Sequence, residues 1–149
     1  MTLRMPWRFL EDGVTSDLTV VASGHTLDEL FAAAAAAVTT AMVEDAATTV
    51  ATHTTLPTVV TAPALDLLLV RFLDELVFHK DARGLILRAE HVRVEGDATR
   101  GFTARADLSG EPIDPTKHAL GADVKAATLY GLRVEHRAGG WEAEVTLDV

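Results

Sequence analysis

The chain has no cysteine in its 149 residues. That excludes disulfides, thiolate metal sites and cysteine nucleophiles together, so any metal must be held by oxygen or imidazole ligands. Positive charge is also short: 13 Lys and Arg stand against 22 Asp and Glu, for a net charge of −9. A free-standing nucleic-acid binder normally shows a basic face, because neutralising phosphates supplies most of its affinity. An acidic chain acting in RNA metabolism is expected to meet a basic protein or a metal instead, and RNA only indirectly. No apolar run approaches the roughly 20 residues of a spanning helix, and the N-terminal stretch has no signal-peptide core. A cytoplasmic location is the expectation. GxGxxG, P-loop, HExxH and GxSxG motifs are all missing, so neither a nucleotide site nor an autonomous hydrolase has local support, and no catalytic residue is assigned.

What is present describes one ordinary globular domain over residues 1–149. Hydrophobic residues make up 48% and charged residues 23%, enough for a real core. Trp7–Leu10 reads as a short strand, Glu11-Asp12-Gly13 as a turn and Leu18–Ser23 as a strand with Leu18, Val20 and Ala22 on one face. Thr26 to Glu29 is a capping box opening a helix to about Val43, with Leu27, Leu30, Phe31, Ala34, Val38 and Met42 as its stripe. Thr48–Thr61 favours a strand that Pro57 confines to an edge or a bulge. Pro63 suits the first turn of a core helix over about Ala64 to His79, stopped near Gly84.

Four strand-like stretches follow: Leu85–Glu95 with a Gly96-Asp97 turn, Gly101–Ser109, Lys125–Arg137 and Trp141–Val149, the last two joined about Ala138-Gly139-Gly140. The order argues an α+β fold, two helices packed on a largely antiparallel β-sheet, rather than a doubly wound parallel one.

The segment Ser109–Leu132 is the one a core would not contain. It carries Glu111, Asp114, Lys117, His118, Asp123 and Lys125, and Pro112 and Pro115 make its first half a loop. Such a loop either holds a phosphate, metal or partner, or is a solvated connection kept wet by its charges. Read alone, Asp148 is likewise a solvated strand end.

Gly110-Glu111, Asp114 and His118, followed by Val124-Lys125-Ala126 and Thr128, resemble the archease family. So do Thr15-Ser16-Asp17, the run Arg71–Leu76 (RFLDEL) and the closing Leu147-Asp148-Val149, in the family's order. Two places depart from its pattern. Val14 stands where a histidine is usual, and Leu129-Tyr130 stands where Tyr-His is usual.

The resemblance implies that Asp17, Asp148 and the Val149 carboxylate bind a divalent metal. Oxygen-only ligation favours Ca²⁺ or Mg²⁺/Mn²⁺ over Zn²⁺, with water or carbonyls completing the shell. It also implies that His118 and Lys125 engage a partner, Lys125 as a point charge toward phosphate, while Glu111 and Asp114 either assist the metal or cap turns. The implied function is a non-catalytic activator of a GTP-dependent RNA ligase in tRNA splicing and RNA repair. It would promote guanylylation of the ligase and repeated turnover. Two rival readings are a stand-alone metal-dependent phosphoesterase and a chaperone or modulator of an RNA-modifying enzyme such as a tRNA methyltransferase.

Overall fold

The structure is a computed structural model and describes residues 6–10 and 17–149. The expected Glu11-Asp12-Gly13 turn, Val14 and Thr15-Ser16 lie outside the described residues.

Among these residues the order is β1 (Trp7–Leu10), β2 (Asp17–Gly24), α1 (Leu27–Met42), β3 (Val43–Glu44), α2 (Ala46–Thr49), β4 (Thr54–Ala62), α3 (Leu65–Arg83), β5 (Leu85–Asp97), β6 (Gly101–Pro112), β7 (Ala119–Leu120), β8 (Ala126–Arg137) and β9 (Gly140–Asp148). The expected single sheet is divided. One sheet has four strands in the order β1-β2-β9-β8, another has three in the order β4-β6-β5, and β3 and β7 make a short ladder between them in sequence. Every strand pair is antiparallel.

Helix α1 starts as its residues dictate. Thr26 accepts the Glu29 amide at 3.1 Å, and the Glu29 carboxylate accepts the His25 amide at 2.8 Å, so the reciprocal bond falls one residue before the cap. Leu30, Phe31, Ala34, Ala35, Ala37 and Val38 have no exposed surface. A helix buried on more than one side needs small residues where backbones approach, and the alanine run supplies them. Its one buried hydroxyl is satisfied: Thr39 donates to the Leu87 carbonyl of β5 at 2.8 Å and lies 3.1 Å from the Ala35 carbonyl.

Helix α3 runs one turn further than its apolar stripe suggests. It ends at Gly84, whose φ of 63° is the left-handed cap a side chain disfavours. Pro63 precedes the N-cap Ala64 rather than opening the first turn. Helix α1 packs on β2 and β5, and α3 packs on β8 and on β4, β5 and β6. The two helices thus share one core between both sheets, with Phe31 and Phe72 meeting at 5.7 Å between ring centroids.

Three boundaries differ from the sequence expectation. Thr48 and Thr49 close the short helix α2, where their hydroxyls donate to the Asp45 carbonyl; this local bonding competes with the strand their β propensity favours. The turn after β5 follows Asp97, which caps the Thr99 and Arg100 amides. Strand β6 continues through Ser109 to Pro112, opposite Leu85, because Pro112 occupies the last position, where a missing N–H costs nothing. Pro57 does lie on an edge strand, β4. Among the described residues no helix is long and apolar enough to cross a membrane.

Candidate functional site

The register of β2 against β9 follows from hydrophobic alternation. Leu18, Val20 and Ala22 face Leu147, Val145 and Ala143, all pointing inward. A slip by one residue would turn both apolar sets to solvent, so this pairing is strongly specified. Its consequence on the other face is that Asp17 pairs directly with Asp148, although 131 positions separate them (148 − 17). Thr19 and Thr146 follow on that face, their hydroxyls 3.3 Å apart. Side chains directly opposite across an antiparallel pair have Cβ atoms about 4.5–5.5 Å apart. Both acids are exposed, and Ala126 of β8 continues the row beyond Asp148.

Two carboxylates facing each other repel, and a divalent cation between them turns that repulsion into ligation. The donor set therefore fits a hard, oxygen-liganded ion. Among the described residues no group of three or more His, Asp or Glu side chains could hold a metal. Val149, the third donor that the resemblance implies, follows Asp148 directly at the same end of β9.

Lys125 sits at the same end. Its amide donates to the Asp148 carbonyl at 2.7 Å and its side chain is exposed. Asp74, within the Arg71–Leu76 run, and Lys80, which the sequence reading passed over, hold this stretch. Lys80 on α3 bonds Asp123 at 2.8 Å and also reaches the Val124 carbonyl, and its ammonium holds the Asp123 carboxyl below the usual carboxylate range. Asp74 accepts the Ala127 amide at 2.8 Å; burial raises its pKa, opposed by that bond. Both lie off the apolar stripe of α3, so periodicity alone marks them as solvent-facing. Asp74 directly follows the buried pair Phe72 and Leu73, and Lys80 lies about one turn beyond the buried Val77.

Glu111, Asp114 and His118 are brought together with one another; Glu111 and His118 face inward, and Asp114 stays exposed. Glu111 is 6% exposed and His118 is 2% exposed. The Glu111 carboxylate accepts Lys117 at 2.7 and 2.8 Å, the Ala51 amide at 2.6 Å and His118 Nε2 at 3.1 Å, with His53 at 3.6 Å. His118 Nδ1 accepts the Asp114 amide at 2.9 Å. That fixes Nε2 as the protonated nitrogen, donating to Glu111. Asp114 caps its own turn through the Thr116 amide and hydroxyl at 2.9 and 2.7 Å. Gly110 is needed because a Cβ there would lie 1.9 Å from the Ile86 carbonyl oxygen. The motif is thus a latch between the β6–β7 loop and the segment after α2, a satisfied buried network. Of the four residues expected at a partner contact, the inward turn of Glu111 and His118 leaves Lys125 and Asp114 on the surface.

Glu111 carries a pH signature. The Lys117 ammonium first, then the Ala51 amide, push its pKa from 4.5 down to about 2 against the cost of burial, with His118 assisting. A carboxylate whose folded pKa is depressed stabilises fully above its unfolded value and loses that contribution as pH falls toward the folded one. The urea midpoint of the wild type is expected to drop between about pH 4.5 and 2. In Glu111→Gln that dependence should be visibly flatter, as followed by circular dichroism at each pH.

The comparisons with known proteins bear on the family and the fold. The sequence profile of the Archease protein family matches residues 7–149. The archease of Methanosarcina acetivorans is 31% identical over 138 residues, covering 91% of each chain. That of Thermococcus gammatolerans is 32% identical over 136 residues, covering 91% of this chain and 94% of the relative. The solution structure of protein 1598 of Methanobacterium thermoautotrophicum superposes with a TM-score of 0.81 at 27% identity, covering 98% of this chain and all of that one. The crystal structure of an archease, described as a possible chaperone, from Thermotoga maritima shares the fold at a TM-score of 0.61 and 14% identity, over 91% and 93% of the two chains. With its matched profile, its relatives and its fold taken together, this chain belongs to the archease family.

Proposed function

We propose that this protein is a non-catalytic accessory factor of a GTP-dependent RNA ligase, which it activates by presenting a divalent ion on the tip formed by Asp17, Asp148 and Val149. The observation that carries the reading is the Asp17–Asp148 pair, set opposite each other by strand register at one end of the sheet. The bound ion would supply concentrated positive charge beside anionic phosphate groups. The chain's own residues do the rest: the two carboxylates hold the ion, the Lys125 amide orients the Asp148 peptide, and the exposed Lys125 ammonium meets phosphate as a point charge. In the ligase the step favoured is attack of its active-site histidine on GTP.

A partnered role suits the site's shape. Among the described residues the tip is an exposed strand end. A cleft of about 750 Å³, lined by Gly24, His25, Glu29 and Trp141, lies at the opposite end of the same strand pair. A stand-alone phosphoesterase would need the carboxylates inside such a cleft. The test is multiple-turnover ligation of RNA bearing a 2′,3′-cyclic phosphate and a 5′-hydroxyl, with ligase limiting. Addition of this protein should raise both the guanylylated fraction of ligase and the product formed per ligase. An unchanged rate with pure ligase overturns the proposal. Capture of an RNA methyltransferase together with stabilisation of that enzyme, in the absence of any effect on ligation, would establish the chaperone reading instead.

A further inference from the structure

Helices α1 and α3 pack on the three-stranded sheet, on the face to which Phe102, Ala104, Ala106 and Leu108 of β6 point. The other face carries charge. There the register sets Val59 of β4, Arg105 of β6 and Arg93 of β5 in one row, all three exposed. Thr61, Thr103 and Glu95 form the next row. Beyond it Arg71 and Arg100 line a shallow groove with Thr61, Thr99 and Thr103, and Arg71 donates to the Thr61 carbonyl at 2.6 Å.

Arg93 and Arg105 stand directly opposite each other, and like charges in that position destabilise a sheet. Nothing within the described chain relieves them. Arg88, Arg133 and Arg137 each pair with a glutamate. Arg71, Arg93, Arg100 and Arg105 pair with no acid among the described residues. In a chain with 22 acids and 13 Lys and Arg, carboxylates are in excess, so four guanidinium groups left without one on a single sheet mark a place for an external anion. The acids nearby are engaged elsewhere. Asp97 accepts the Thr99 and Arg100 amides at 2.9 and 2.7 Å, and Asp107 bonds His91 at 3.1 Å. His91 reaches it from a β-bulge at φ 54°, a left-handed conformation that a side chain disfavours.

We propose that Arg93 and Arg105, with Arg71 and Arg100 beyond them, form a ledge that takes the phosphodiester backbone of single-stranded RNA. The choice of RNA rests on the function proposed above, whose ligase acts on RNA ends. From Gly101 to Arg105 the strand covers about 13 Å, more than one phosphate group fills, so the ligand is a polyanion. Guanidinium forks match phosphate oxygens in pairs, and the Thr61, Thr99 and Thr103 hydroxyls supply further donors. Glu95 holds the β5 side of the middle row, so the backbone passes over Thr61 and Thr103. Neither row has an aromatic side chain to stack a base or an amide to read one, and the contacts are therefore independent of sequence. The net charge of −9 does not forbid this, because it sums the whole surface while contact is made on one face.

The experiment follows binding of a short fluorescent single-stranded RNA by anisotropy, without ligase, over a salt series. Each phosphate contact contributes about −0.7 to the slope of log K against log salt for single strands, so four contacts give about −3 for wild type. The Arg93→Gln/Arg105→Gln variant should show about half that slope. Arg83→Gln, which removes an exposed charge at the end of α3, should keep the wild-type value. The double variant should melt no lower than wild type, since opposed like charges have been removed; a clear fall would assign the pair to holding the sheet and overturn the ledge. So would a wild type that binds no RNA at low salt, or a double variant with an unchanged slope. Polyglutamate that displaces the RNA as well as unlabelled RNA does would replace the ledge's ligand with an acidic protein segment. Ligase stimulation is measured on the same samples. Stimulation without RNA binding refutes the ledge and leaves the function standing, and RNA binding of the expected slope without stimulation does the reverse.

Discussion

On the proposed function, Asp148→Asn is expected to abolish ligase activation while leaving the protein folded. Asp148 is exposed at the end of β9, with its backbone held by β2 on one side and by the Lys125 amide on the other. Asparagine keeps the size and the main-chain bonds, so stability should change by no more than about 0.5 kcal/mol. What it removes is one of two opposed negative charges. Hard divalent ions are held chiefly by such charges, and neutral amide oxygens replace them poorly. Even residues outside the coordination shell alter metal affinity by about 10–100-fold, so loss of a direct carboxylate ligand should exceed the top of that range. Titration with Ca²⁺ and Mn²⁺ should show binding weakened by at least about 100-fold, and multiple-turnover ligation should fall to the rate of ligase alone. Asp17→Asn should behave alike, because the register makes the two acids equivalent halves of one row. A variant that binds the ion and activates as wild type does would remove the tip from the mechanism.

Phe72→Ala should have the largest effect on stability. Phe72 and Phe31 are fully buried where α3 meets α1, and both helices serve both sheets. Removing a buried phenyl ring costs about 3–5 kcal/mol, through lost transfer energy and the cavity left behind. For a domain of this size each kcal/mol lowers the melting temperature by about 2–4 °C, so a fall of about 6–20 °C is expected in a thermal melt. Phe72→Leu should recover part of it. A loss below about 1 kcal/mol would mean that the two helices do not depend on this contact.

The elements that local chemistry controls were legible in the sequence. Thr26 and Gly84 cap their helices as the residues imply, and the alternation of Phe102, Ala104, Ala106 and Leu108 marks the inner face of β6. The turn at Ala138-Gly139 joins β8 to β9 where expected. Partner choice among strands was not legible, because periodicity tells which face of a strand is buried and not which strand lies beside it. Hence neither the division into separate sheets nor the place of β9 between β2 and β8 could be read. Asp17 and Asp148 were singled out through the family resemblance; their direct pairing needed the register. Glu111 and His118 were misjudged for a different reason. Charged residues are ordinarily solvated, and only the convergence of Lys117, the Ala51 amide and His118 on one carboxylate makes burial tolerable.

The position of β9 bears on how the molecule is made. Among the described strands β2 emerges early in synthesis, and its neighbour on one side, β9, emerges last. Until then β2 has only β1 to pair with, and two-stranded ribbons are marginal in water. The Asp17–Asp148 pair therefore forms only once β9 has been made, and a copy cut short of β9 carries one of the two acids.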